Sequence, residues 1–366
     1  MPSLLLPDAQ PILTALAILA LTTACRFGFA VVTRLLGTSK RLLWPAAGAM
    51  ASLPFVLREP LLAWWGGTYA DAQLGSFLAA TAFAWCFFRA IERSVGTTPV
   101  GAAASLAEWI FYMSADVDPR YRDGRPLRPP PGKLQSQLAK LCATYAATAA
   151  FVSAIEPFGF RPTAAVCEAC GVSGPLAAAL VRVGDNLSGT VLIYLFLSLL
   201  LTLGSILVLA QGHDPIDGFD NPVFKSCSPR EFWGRRWNLQ VNAMLKRSCY
   251  KPLAGAGLAA PLATLATFGA SAGFHEYQFA LSMPGYRVGT ASVFFLGQGL
   301  LLVAQSLLEA TPLRHLASRA PLPLGVAFNI TALSLVPDYF ICNWIDLPTP
   351  LFGAVARLVP RIMWAA

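Results

Sequence analysis

The chain has 366 residues, 55% of them hydrophobic and only 13% charged, with a formal net charge of +8. Soluble domains carry about 25% charged residues, so this composition excludes both an ordinary water-soluble domain and a disordered chain. A mean hydropathy of +0.56 instead fits a multi-pass helical membrane protein, in which each span needs about 20 apolar residues.

In chain order, apolar segments of spanning length lie at 10–33, 42–57, 73–91, 134–155, 187–210, 252–281, 289–308, 321–341 and 347–363. They predict an all-α transmembrane bundle of about eight to nine spans. The second and last segments are short enough to be tilted, re-entrant or interfacial. No internal repeat divides the chain, so 1–366 reads as one integral-membrane domain. Lys and Arg concentrate in alternate loops, at 34–41, 89–133, 211–251 and 309–320, while the opposite loops offer only Arg58, Arg161, Arg182 and Arg287. This bias places the amino terminus on the lumenal or external side and the basic loops in the cytosol. The net charge is then a topology signal and does not call for a nucleic-acid partner. No cleavable signal peptide is expected, because the first charge is Asp8 and the apolar run continues past residue 20.

The eight cysteines show no disulfide spacing, and the lone pair Cys167 and Cys170 lacks the second pair or histidines that a zinc site needs, so no metal is expected. Residues 119–133 (PRYRDGRPLRPPPGK) cannot form a regular helix and read as a basic loop at the membrane surface, suited to acidic headgroups.

Only three histidines are present. His315 falls in a short basic loop and reads as solvated. His213 opens His-Asp-Pro-Ile-Asp-Gly, an H-x-x-x-D-G string that soluble CoA-dependent acyltransferases use as a signature. Those enzymes need a polar two-domain sandwich that this composition forbids, so the string reads as a turn. His275 lies inside the apolar segment 254–281, where an ionisable side chain is costly and by default marks a site. At helical spacing Thr267, Ser271, His275 and Gln278 share one face. Gly269 and Gly273 are expected to admit a close neighbour. The alternative is a buried histidine bonded to an adjacent helix.

The segment 228–251 (SPREFWGRRWNLQVNAMLKRSCYK) is the second unusual feature. Ser228, Pro229 and Glu231 form a capping-box start. On one continuous helix, Trp233, Trp237, Val241 and Met244 make an apolar stripe, and Arg235, Asn238, Asn242 and Lys246 a polar one. Two readings stand: an interfacial amphipathic helix, or a basic, amide-bearing surface for a phosphate-rich ligand such as coenzyme A.

The run Phe-x-x-x-Ser-Pro-Arg-Glu-Phe-Trp-Gly-Arg-Arg-Trp-Asn (224–238), followed by Phe-Gly-Ala-Ser-Ala-Gly-Phe-His-Glu (268–276), resembles the membrane-bound O-acyltransferase superfamily, and within it the wax synthase branch. The likeness is carried by 224–276, and 228–281 is its expected catalytic core. It implies a tunnel through the membrane, a catalytic His275 deep within it and a second polar catalytic residue at Asn238. Many members of the branch carry His at that position, and Asn242, one turn on, competes for the role. The resemblance further implies acyl transfer from acyl-CoA, a substrate, to a long-chain alcohol, with no resident cofactor, in the endoplasmic reticulum membrane. Trp233, Arg235, Arg236, Trp237, Asn242, Lys246 and Ser271 are then the candidates for acyl-CoA binding. A neutral imidazole suits the base role, since an alcohol attacks only when its proton is accepted. Diacylglycerol, a sterol or a terpenoid alcohol are alternative acceptors. A transporter with His275 as proton relay is the non-enzyme alternative.

Overall fold

The computed structural model describes residues 3–65, 68–311, 321–334 and 336–363; His315 lies outside them. The described chain is predominantly helical. The long helices are α1 (Ala9–Leu35), α2 (Lys40–Trp65), α3 (Tyr69–Ser94), α5 (Lys133–Ile155), α7 (Gly174–Ala210), α12 (Ala260–Ser282) and α13 (Thr290–Glu309). Between them lie the shorter α4 (Leu106–Ser114), α6 (Thr163–Ala169), α8 (Pro222–Lys225), α9 (Pro229–Glu231), α10 (Leu239–Leu245) and α11 (Lys251–Gly255). After α13 come α14 (Leu322–Leu333), α15 (Asp338–Ile345) and α16 (Leu351–Ala356).

Among the described residues, α1, α3, α7, α13 and the helix running from Lys133 through Phe158 are long and apolar enough to cross a membrane. The pair α14 and α15, bent by 72° at its break, adds a broken sixth. The protein is thus an all-α, multi-pass membrane bundle. Helix starts follow local chemistry: Asp8 accepts from the Gln10 amide at 3.0 Å, and Thr68 forms a capping box with Asp71. α1 and α3 run side by side in the same direction. A Cβ added at Gly75 would lie 2.5 Å from Ile18 Cδ1 and 3.2 Å from the Ala15 backbone, near the start of both helices. α2 runs back along α3, with Trp44 Nε1 donating to Ser94 Oγ at 2.9 Å.

The last apolar segment does not span. Residues 347–363 contain only α16, then strand β4 (Arg361–Met363), which pairs antiparallel with β1 (Ser3–Leu5) in the register Ser3 to Met363. Arg357 ties this end to Asp8 and Asp71 at 2.6 and 2.7 Å. The proline-rich basic loop folds as a small hairpin, β2 (Tyr121–Arg122) and β3 (Arg125–Pro126), turned by Asp123 and Gly124 at φ 51° and 75°. Its base is stitched to the 213–218 turn: the Arg120 amide donates to Asp214 O, and the Asp214 amide to Leu127 O, both at 2.8 Å. The His-Asp-Pro-Ile-Asp-Gly string therefore serves as a clasp, with the His213 ring against Phe111 at 5.1 Å.

Segment 228–251 departs from the single amphipathic helix expected. It breaks into α9, a wide π-turn over 232–236, α10, and a second π-turn over 246–250. Asn238 stands at the break with φ 39°, a left-handed conformation that asparagine tolerates better than most residues. Tertiary contacts override the helical period here. Phe232 and Trp237 stack at 5.1 Å and 18°, and Met244, fully buried, packs in a cluster with Ala84, Trp85 and Phe88. No continuous stripe is left to lie in the interface.

Candidate active site

α3, α7, α10, α12, α13 and the α14–α15 break enclose a cavity of about 990 Å³. Thr267, Ser271, His275 and Gln278 all line it, so the polar face of α12 looks into this space. His275 Nδ1 sits 2.8 Å from the Ser271 carbonyl oxygen. A carbonyl only accepts, so this contact requires the proton on Nδ1 and leaves Nε2 as the basic nitrogen. The ring is fixed between aromatics, stacked on Phe295 at 4.1 Å and edge-on to Phe274 at 4.8 Å and Phe340 at 5.6 Å.

Glu276, the other half of the His-Glu pair, points away from this chemistry. Its carboxylate accepts from the Gly289 amide at 2.9 Å and from the Ser292 amide, the Ser292 hydroxyl and the Tyr286 hydroxyl at 2.8 Å each. It thereby caps α13 from a neighbouring helix, where the exposed amides and helix dipole favour a negative charge. That cap sets the rotation of the helix bearing Phe295 and Gln298, both in the cavity wall. The close approach expected at Gly269 and Gly273 is absent: a Cβ at Gly273 would meet nothing within 4 Å, and at Gly269 only Leu296 at 3.9 Å. The tight contact is on α13, where a Cβ at Gly299 would lie 2.9 Å from Phe268 Cβ.

Trp233, Trp237, Asn238, Asn242 and Lys246 line the cavity together with His275 and Ser271. Asn238 Oδ1 caps α10 by accepting from the Val241 amide at 3.3 Å, and its Nδ2 makes no hydrogen bond among the described residues. Asn242 Nδ2 is committed to the Trp233 carbonyl at 2.9 Å. Trp233 Nε1 donates to Gln298 Oε1 at 3.2 Å, joining this wall to α13.

Two of the expected basic residues are placed elsewhere. Arg235 is exposed and does not line the cavity. Arg236 is also absent from the lining; it binds Glu231 at 2.5 Å and Asp220 at 2.9 Å. Burial of Glu231 would raise its pKa, but the Cys227 amide and Arg236 hold it below the ordinary value. The π-turn rotates both arginines off the face that a regular helix would give them. Ser228 Oγ accepts from the Glu231 amide as the capping box predicts, yet the Glu231 carboxylate reaches back to the Cys227 amide at 3.0 Å in place of Ser228.

The sequence reading missed Arg230 and Gln298 in the lining. Gln298 was detectable, as one of two carboxamides in an apolar span, by the rule that singled out His275.

The model of MBOAT, the membrane-bound O-acyltransferase family, matches residues 185–317, a stretch that includes α10, α12, α13 and most of α7. Curated relatives come from Arabidopsis thaliana. The chain is 35% identical over 121 residues to probable long-chain-alcohol O-fatty-acyltransferase 7, covering 31% of this chain and 35% of that protein. It is 30% identical over 137 residues to probable long-chain-alcohol O-fatty-acyltransferase 3, covering 36% and 39%. With acyl-CoA–sterol O-acyltransferase 1 it is 31% identical over 187 residues, covering 46% and 52%. These matches thus span between about a third and a half of the relatives' lengths. Residues 185–317, which hold the motifs at 224–276 and most of the cavity-lining helices, are thus similar to the membrane-bound O-acyltransferase family.

Proposed function

We propose that the protein is an acyl-CoA-dependent O-acyltransferase that moves a fatty acyl group from the thioester to the hydroxyl of a long-chain alcohol, forming a wax ester. One observation carries the reading: His275 stands in the wall of a largely apolar cavity with Nδ1 committed to the Ser271 carbonyl. Nε2 is then the general base. It takes the proton of the acceptor hydroxyl as the oxygen attacks the thioester carbon, and the proton passes to the departing sulfur as the C–S bond breaks. An apolar cavity limits hydrolysis by keeping water from the thioester.

Of the two candidate amides, Asn238 fits the polar role better, because its Nδ2 is uncommitted while that of Asn242 already donates. A donor placed on a developing oxyanion contributes about 3–4 kcal/mol. Lys246, exposed at the cavity wall, suits the phosphates of the acyl donor, and Trp233, Trp237 and Ser271 its acyl-bearing end. In this reading the basic loops and the donor mouth face the cytosol, and the membrane is that of the endoplasmic reticulum. A sterol acceptor is a second reading, favoured by the longest of the three alignments, that with acyl-CoA–sterol O-acyltransferase 1.

The test uses membranes bearing the protein or its His275→Ala variant, given labelled palmitoyl-CoA with hexadecanol, a sterol, diacylglycerol or no acceptor. General-base catalysis is worth roughly 10²–10⁴-fold, so the labelled ester should fall by that factor in the variant. Formation of a steryl ester or triacylglycerol moves the acceptor and keeps the chemistry. No ester from any acceptor, with the protein folded, overturns the acyltransferase reading and returns attention to His275 as a proton relay.

A further inference from the structure

A buried ionic network lies outside the chemistry just described, between α3, α4 and the second π-turn. Arg247, in the second π-turn, donates from Nε to Glu92 at 3.1 Å and from Nη2 to Asp118 at 2.5 Å. The other Asp118 oxygen receives Arg89 Nη2 at 2.6 Å, and Arg89 also reaches the Ala115 carbonyl at 2.8 Å. Tyr112 closes the set on Glu92. Arg89, Glu92 and Tyr112 are all 0% exposed. Burial would raise the Asp118 pKa, but Arg247 and Arg89 hold it below its ordinary value. Two links reach the neighbouring backbone: Gln240 bridges the Asp118 amide at 2.9 Å and the Ile216 carbonyl at 2.6 Å, and Thr97 Oγ1 donates to the Arg247 carbonyl at 2.7 Å.

Charges buried at this cost persist only when paired in good geometry, and removing one partner strands the other. The guanidinium fork reaches two carboxylates on separate elements at once, which a lysine ammonium, a single point charge, does less well. The network holds the 240–247 segment through Gln240 and Arg247, while Asn242 and Lys246 on the same segment, and Asn238 just before it, line the cavity. We infer that Arg247 and Asp118 are positioning residues: the network they form holds α10 and the following π-turn so that the acyl-donor wall of the cavity keeps its shape. This rests on the donor-binding reading above.

The test has one arm that needs no activity. In purified full-length protein carrying Arg247→Lys or Asp118→Asn, maleimide labelling of the native Cys249, within the π-turn, is followed peptide by peptide. The exposed Cys170, which lies outside the spans, serves as internal reference. Loss of one charge-assisted contact is expected to speed Cys249 labelling about 10-fold, with the reference unchanged. In the second arm, the KM for labelled palmitoyl-CoA should rise by about the same factor while the KM for the acceptor stays within about two-fold. Unchanged Cys249 labelling overturns the inference whatever the activity. Faster labelling at every cysteine, equal rises in both KM values, or a fall in kcat alone also overturns it, in favour of a general structural role. If the unmodified protein transfers no acyl group, the proposed function falls, and the labelling arm still decides whether the network holds the turn. Should Arg247→Lys fail to accumulate, the near-isosteric Asp118→Asn carries the decision.

Discussion

Asn238, in the cavity wall, combines a left-handed backbone position with an amide whose Nδ2 makes no hydrogen bond among the described residues. They can be separated because glycine adopts that conformation without cost and is only a few tenths of a kcal/mol poorer than asparagine as a helix cap. Asn238→Gly should therefore leave thermal stability nearly unchanged. If the amide stabilises the oxyanion, kcat falls by about 10²–10³-fold in the same variant. Asn238→Ala should lose stability as well, by about 1–2 kcal/mol, because a Cβ is disfavoured in that conformation. Full activity in Asn238→Gly would pass the polar role to Asn242. The sequence singled out His275 by type and spacing, and the resemblance pointed to Asn238 with Asn242 competing; neither could show which amide hydrogens are already spent.

Between elements, the contact of α12 with α13 is the most exacting, since it sets the His275 ring against Phe295. Gly299 permits it, with Phe268 Cβ only 2.9 Å from the place a Cβ would take. Gly299→Ala should push the helices apart at a cost of about 1–3 kcal/mol, read as a lowered midpoint of thermal aggregation in detergent. Activity should fall together with it, because Phe295 moves with α13. The sequence pointed to the wrong glycines here, Gly269 and Gly273, because small residues in a span announce a close approach without saying which helix face meets the neighbour. Segment 228–251 failed for a related reason. Its apolar period was read as one helix, and the aromatic stacking of Phe232 on Trp237 opens the wide turn in place of a regular one. Hydrophobic periodicity reports what will be buried. It is silent on local winding once tertiary contacts exceed the small cost of a π-turn.

Across the whole molecule, the bundle was legible from hydropathy because water-avoiding length is an additive property of the sequence. The fate of the last segment was not, since pairing of β4 with β1 joins residues more than 350 positions apart. That short ladder carries a counting rule. Two strands hydrogen-bonded to each other must lie on one face of the membrane, so the chain between them crosses an even number of times. Nine crossings are thereby forbidden, and 347–363 is the segment the structure removes. Among the described residues, α1, α3, α5, α7, α13 and the bent α14–α15 pair make six candidate crossings, and the less apolar α2 and α12 would bring them to eight; either number satisfies the rule. Small epitopes inserted beside residues 3 and 363 should both be cleaved, or both be spared, when sealed vesicles are treated with protease; cleavage of only one breaks the rule. Parity also constrains how such a chain can be inserted. A topology with one helix left out would put the strands on opposite leaflets, so the ladder can form only when the number of crossings made is even, and it acts as a parity check on membrane insertion.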